Sequence, residues 1–146
     1  MNSKEYLNVF LVEPFYSGSH MAWSNNLVKY SKHSIKLITH DGINWRWRMR
    51  GSAATLAELI IKKSQTVEPD LFMISSMTNL AELRSLLPKR LANKNFILYM
   101  HENQLGYPLS DKQTSSAEFA YKNWLSMLAA DKICVNSNFQ DRKSVV

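Results

Sequence analysis

Cysteine occurs once in these 146 residues, so no internal disulfide can form. Cys134 sits in the apolar run Ile133-Cys134-Val135 and reads as a small buried hydrophobe rather than a nucleophile. No run approaches the roughly 18 to 20 uninterrupted apolar residues of a membrane helix, and Met1-Asn2-Ser3-Lys4-Glu5 lacks a signal-peptide pattern. A soluble, cytoplasmic protein with no membrane partner is expected. There are only four glycines, and neither GxGxxG nor GxxxxGKS/T is among their patterns, which leaves dinucleotide and P-loop readings without their motifs. HExxH and cysteine-rich spacings are missing too, so no metal centre is expected. The chain has no internal repeat and no low-complexity tract.

Acidic residues are the scarcer charge, 12 against 18 Lys and Arg, for a net +6. The excess is concentrated. Between His20 and Arg50 lie Lys29, Lys32, Lys36, Arg46, Arg48 and Arg50 against Asp41 alone, which is +5 of the +6. A localised basic patch fits either a polyanionic partner or a solvated outer helix face. Within it, Asn44-Trp45-Arg46-Trp47-Arg48-Met49-Arg50-Gly51 alternates planar aromatics with guanidinium groups. As a loop, Trp45, Arg46, Trp47, Arg48 and Arg50 combine phosphate pairing with stacking faces for nucleic acid. The alternative is that the tryptophans pack into the core while the arginines face solvent.

Apolar runs at Leu7 to Val12, Ile35 to Thr39, Leu71 to Ile74, Phe96 to Met100 and Ile133 to Val135 are short enough for strands buried on both faces. Helical spacing separates them: Trp23 and Leu27, then Ala53, Leu56, Ala57 and Ile60, then Leu80, Leu83 and Leu87, then Ala117, Ala120, Trp124 and Leu128. Pro69 and Pro88 mark the entry to the third strand and the exit of the third helix. Five strands with four interleaved helices predict one α/β domain over residues 1–146, a Rossmann-like three-layer sandwich with a mainly parallel sheet. Asn136-Ser137-Asn138 then offers helix-cap chemistry, and a helix beginning at Phe139 stops at Val146, the pattern expected of a fragment.

In such a sheet ligands bind beyond the carboxyl ends of the strands. Each strand leaves through polar groups: Glu13; His40 and Asp41; Ser75 and Ser76; His101, Glu102 and Asn103; Asn136 and Ser137. Tyr16-Ser17-Gly18-Ser19-His20 joins the first strand to the first helix. There Gly18 serves either as a turn former or as a point of close backbone approach, and Gly18, Ser19 and His20 open a helix whose free N–H groups suit a phosphate or carboxylate. His101 beside Glu102 is either a polar contact or an acid/base pair. The donor or substrate site is therefore expected from Gly18, Ser19, His20, Glu102, Asn103, Asn136 and Ser137.

Four stretches together carry a resemblance: Glu13 to His20, Trp45 to Arg50, His101 to Pro108, and Leu128 to Ser137 leading into Asn138-Phe139. In that order they resemble the amino-terminal domain of the glycosyltransferase-like proteins that include the tRNA-queuosine α-mannosyltransferases. The resemblance implies the amino-terminal, acceptor-side half of a retaining GT-B enzyme, with a carboxy-terminal donor-binding domain outside this chain. It further implies GDP-mannose as donor, tRNA as acceptor, no cofactor or bound metal, and no turnover by the fragment alone. His101 matches the histidine placed beside the transferred hexose in similar enzymes, the catalytic position, and Gly18 and Ser19 match the loop approaching the donor diphosphate. Ser17 and Met21 stand where the family commonly has glycine and lysine. Other readings are a GT-B enzyme acting on a small-molecule or lipid-linked acceptor, and a non-catalytic nucleic-acid-binding module.

Overall fold

The computed structural model describes residues 5–102 and 115–136. Strand and helix alternate as β1 (Asn8–Tyr16), α1 (Gly18–Tyr30), β2 (Ser34–Asp41), α2 (Trp45–Ser64), β3 (Leu71–Ser75), α3 (Leu80–Leu86), α4 (Lys89–Ala92), β4 (Asn95–Met100), α5 (Ser115–Ala129) and β5 (Lys132–Val135). All pairings are parallel and the strand order is β2-β1-β3-β4-β5. The expected Rossmann-like sandwich forms. The chain steps from β1 to β2, then crosses back to build β3, β4 and β5 on the other side. Right-handed crossovers in opposite directions put α1 on one face and the later helices on the other.

Period-two alternation sorts the strand residues. Phe10, Phe72 and Phe96 lie side by side in register, the first pair edge-on at 5.8 Å and the second stacked at 4.6 Å. Val12, Ile74 and Leu98 form the next row. Against these rows pack Ala53, Leu56, Ala57 and Ile60 of α2 with Leu80 and Leu83 of α3, all buried. Each fully buried phenylalanine contributes about 1.5–3 kcal/mol of transfer free energy. The opposite parity, Leu11 and Glu13 on β1 and Tyr99 on β4, faces α1, where Trp23 stacks on Tyr99 at 4.4 Å.

Several expectations change. The first strand runs on to Tyr16, with its register slipping between Glu13 and Tyr16, the irregularity that Pro14 requires. The third helix exits at Pro88 as expected, with Leu87 extended as residues preceding proline are, but a further short helix, α4, follows it. Trp45 to Gly51 is not a loop but the first two turns of α2, entered through Asn44 in the left-handed region at φ 53°. The buried face of α5 is Phe119, Asn123 and Ser126, whereas Trp124 and Leu128, taken as the core stripe, are 46% and 65% exposed. The edge strands β2 and β5 are only partly covered, so Cys134 is half-buried rather than buried. Among the described residues no helix is long and apolar enough to cross a membrane. The helix expected from Phe139 lies outside them.

Candidate functional site at the carboxyl edge of the sheet

The order β2-β1-β3 makes the carboxyl ends of β1 and β3 the point where the chain's direction of travel reverses, the place where open α/β sheets leave a crevice. Glu13 continues the α1-facing parity of Leu11, and His101 continues that of Tyr99, so both side chains rise on one face of the sheet. His20, in the first turn of α1, completes the group. Nδ1 of His20 lies 3.0 Å from Oε2 of Glu13, and Nε2 of His101 lies 3.5 Å from the same oxygen. The Phe15 N–H donates to Oε1 at 2.9 Å.

Glu13 is wholly buried. Burial by itself would raise its carboxyl, but His101, His20 and the Phe15 N–H together outweigh it and hold the group below its ordinary value of 4.5. At neutral pH it is a carboxylate and can only accept, so Nδ1 of His20 carries the proton between them. His101 stands in an aromatic cage: His20 at 4.1 Å, Trp23 edge-on at 4.6 Å and Tyr99 edge-on at 4.9 Å. Its Nε2 has no hydrogen-bond partner among the described residues. Ligand-type atoms of Glu13, His20 and His101 fall within 4.8 Å of one another, close enough to converge on one metal ion. Linear spacing could not reveal that grouping, since the three residues come from three elements.

The loops around this cluster are tightly set. Gly18 takes φ +51° with open space where a side chain would be, so here glycine is required by backbone conformation. Gly42 is required by contact: a Cβ there would lie 2.1 Å from Cβ of Ser17. The β2–α2 loop is thereby seated on the β1–α1 loop. The N–H groups of Gly18, Ser19 and His20 precede the first bond of α1, from the Met21 N–H to the Ser17 carbonyl at 3.2 Å. Asn136 Nδ2 donates to the His101 carbonyl at 2.5 Å, tying the end of β5 to that of β4. Glu102 is half-buried beside His101 and is not part of the Glu13 cluster. Asn103 and Ser137 lie outside the described residues.

The aromatic and basic residues of α2 have separate fates. Trp45 packs on Phe119 at 5.1 Å, with Arg46 5.0 Å above its ring. Trp47 is 71% exposed. Arg48 Nε donates to the Asp41 carbonyl at 3.2 Å. Arg50 grips both carboxylate oxygens of Glu118, through Nε at 3.2 and 3.1 Å and a further bond at 3.0 Å. Asn44, Trp45, Arg46, Trp47 and Arg50 line an open hollow of ≈ 420 Å³. His40 does not join the cleft cluster; it meets Thr55 Oγ1 at 2.8 Å, and burial followed by the Arg48 charge lowers its pKa from 6.5.

Glu13 was expected among the polar groups at the strand exits but not as a ligand contact, and Trp23 and Tyr99 were not expected at the site at all. The signal for Glu13 and Tyr99 was their strand parity; Trp23 had none beyond its helical spacing.

Fold and site together define a Rossmann-like α/β domain with an imidazole and carboxylate cluster at its strand-order switch point. The chain belongs to the family of tRNA-queuosine alpha-mannosyltransferase N-terminal domains, whose model matches residues 8–145. A Drosophila melanogaster protein named tRNA-queuosine alpha-mannosyltransferase is 34% identical over 133 residues, covering 90% of this chain and 34% of that relative. The chain thus spans about a third of that relative's length. No solved structure matches it.

Proposed function

We propose that this domain is the acceptor side of a cytoplasmic, retaining GT-B glycosyltransferase that transfers mannose from GDP-mannose to queuosine in tRNA. The observation that carries the reading is the buried Glu13 carboxylate bracketed by His20 and His101 at the switch point, in a chain of this family. His101 hydrogen-bonds a hexose hydroxyl and meets the positive charge that develops as the glycosidic bond breaks. Glu13 does not touch the sugar; its charge fixes the His20 proton and sets the field in which His101 works. The first turn of α1, at Gly18 and Ser19, turns its N–H groups and positive dipole toward the donor diphosphate.

In this reading the cluster shares protons and holds no metal. The hydrogen bonds from His20 and Phe15 already occupy both Glu13 oxygens. Exposed Trp47 beside Arg46 supplies a stacking face and a cation for the tRNA. The donor-binding half lies in a carboxy-terminal domain, so this fragment alone turns over no substrate, because donor and acceptor must be positioned together. The test is transfer of label from GDP-mannose to tRNA by the full-length protein and by its His101→Ala variant. Label appearing only in a small-molecule or lipid fraction would replace the acceptor, and no transfer to any acceptor would leave a nucleic-acid-binding module.

A further inference from the structure

The ion pairs that lysine and arginine make among the described residues gather around α3, α4 and α5. Arg50 and Lys122 share Glu118, Arg84 meets Asp131, and Arg90 and Lys94 share Glu68. Lys36, Arg48, Lys62 and Lys63 carry no ion pair among the described residues, and all four belong to β2 and α2. Lys36 and Ile38 are in register with the core residues Phe10 and Val12, and His40 meets Thr55, so this parity of β2 looks toward α2. Among the described residues β2 pairs only with β1, which leaves its outer edge open.

Between that edge and α2 lies a hollow of ≈ 580 Å³, walled by Leu37 and Thr39 on the strand and by Leu59, Lys62 and Lys63 on the helix. Thr55 against His40, and then Arg48 against the Asp41 carbonyl, carry the same flank up to the carboxyl edge of the sheet. From Arg48 to Lys63 is about 22 Å at 1.5 Å per residue. Cations strung over that length suit a chain of anionic groups rather than one anion. Little on the flank neutralises them: Asp41 stands at its head and Glu58 on the exposed side of α2, while Glu68 is held by Arg90 and Lys94, and Asp70 accepts from the Asn8 N–H at 2.9 Å. A lysine on the open strand opposes addition of a further strand, and the shared positive charge opposes a second copy.

We propose that the groove between α2 and the free edge of β2 is a second tRNA contact, in which Lys36, Arg48, Lys62 and Lys63 hold phosphates of the RNA backbone away from the nucleoside that reacts. It rests on the reading of tRNA as acceptor. Its upper end, at Arg48, adjoins Trp47 and Arg46, so one RNA chain can pass from the stacking face onto the groove. Phosphate contacts position the RNA without reading its sequence.

The test compares two variants of the full-length protein that lose the same charge, Lys62→Gln/Lys63→Gln in the groove and Lys89→Gln/Lys132→Gln on α4 and β5. All four lysines are exposed, so both variants should melt like the natural protein. The probes are tRNA with and without queuosine, with affinity measured at several salt concentrations, alongside transfer from labelled GDP-mannose. The groove variant is expected to bind both tRNAs at least tenfold more weakly, with a slope of log affinity against log salt flatter by about one and a half units, while the control keeps both values. Equal losses in the two variants would overturn the groove as a particular contact. Unchanged binding by the groove variant, with mannose still transferred to tRNA by the natural protein, would overturn the inference and leave the acceptor reading standing. Weaker binding by the groove variant, with no transfer by the natural protein, would support the groove and overturn the enzymatic reading instead. Unchanged tRNA binding together with a dimer, seen by light scattering, that the groove substitutions dissolve would overturn it in favour of a second copy.

Discussion

Glu13 and His20, seven residues apart, share a proton at 3.0 Å, with the carboxylate wholly buried and the imidazole on the rim of the cleft. The pair couples the end of β1 to the start of α1, and through Oε2 to His101 at the end of β4.

Glu13→Gln keeps the shape and removes the charge. The amide has one accepting oxygen where the carboxylate has two, so with His20 in its Nδ1–H tautomer either His20 or the Phe15 N–H loses its acceptor, and a buried donor left unpaired costs about 1–3 kcal/mol. The variant should melt lower and should lose kcat more than tRNA affinity. An unchanged melting temperature with unchanged kcat would show that the carboxylate does neither.

The same group sets an acid limb. Its pKa in the folded protein lies below 4.5, so the unfolded chain takes up its proton first as pH falls. The stability Glu13 contributes is complete above about pH 4.5 and is lost as pH drops through the folded-state value. Thermal melts across acid pH should show a steeper fall for the natural protein than for Glu13→Gln. Parallel curves would remove Glu13 as the source.

His101→Ala in the full-length protein should lower kcat by on the order of 100-fold, the usual loss of one well-placed group in the transition state, with a smaller change in KM for tRNA. Steady-state kinetics on labelled GDP-mannose decide it. Treatment with a chelator should leave the natural rate unchanged; loss of activity restored by added zinc or manganese would make Glu13, His20 and His101 a metal centre instead.

Gly42→Ala should destabilise by about 1–3 kcal/mol, because its Cβ would lie 2.1 Å from that of Ser17. Ser17→Gly in the same chain should recover part of the loss, since removal of the Ser17 side chain leaves its backbone nitrogen as the remaining close atom at 3.0 Å. Denaturant unfolding of both singles and the double tests the coupling, and strict additivity would refute it.

Trp47→Ala should cost about 1–3 kcal/mol of tRNA affinity at unchanged salt slope and unchanged melting temperature, the signature of an exposed stacking face. Trp45→Ala should instead lower the melting temperature, because its ring packs on Phe119. Arg46→Ala should flatten the plot of log affinity against log salt by about one unit or slightly less. Arg50→Ala should act first on the junction with Glu118. Affinities at several salt concentrations, paired with melting curves, separate these outcomes.

Alternating apolar runs and helical stripes were enough to determine the order of strands and helices, the parallel sheet, and the α2 and α3 core faces, because burial on both faces leaves an unbroken local record in the sequence. They also placed Glu13, His20 and His101 at the edge where strands end. The Glu13 hub was not legible, since whether residues 13, 20 and 101 meet depends on which strands neighbour each other, and parity within one strand says nothing of that order. The Trp45 to Arg50 segment was mistaken for a loop because its alternation hides a helical turn that docking of Trp45 and Met49 around Phe119 stabilises. The face of α5 was mistaken because the stripe through Trp124 and Leu128 is the more apolar of two, and only tertiary packing chose the other: Asn123 and Ser126 are buried in the molecule, Ser126 because its oxygen accepts from the Leu80 N–H at the start of α3, a donor that an apolar side chain would have left unpaired, while its own proton goes to the Lys122 carbonyl at 2.8 Å.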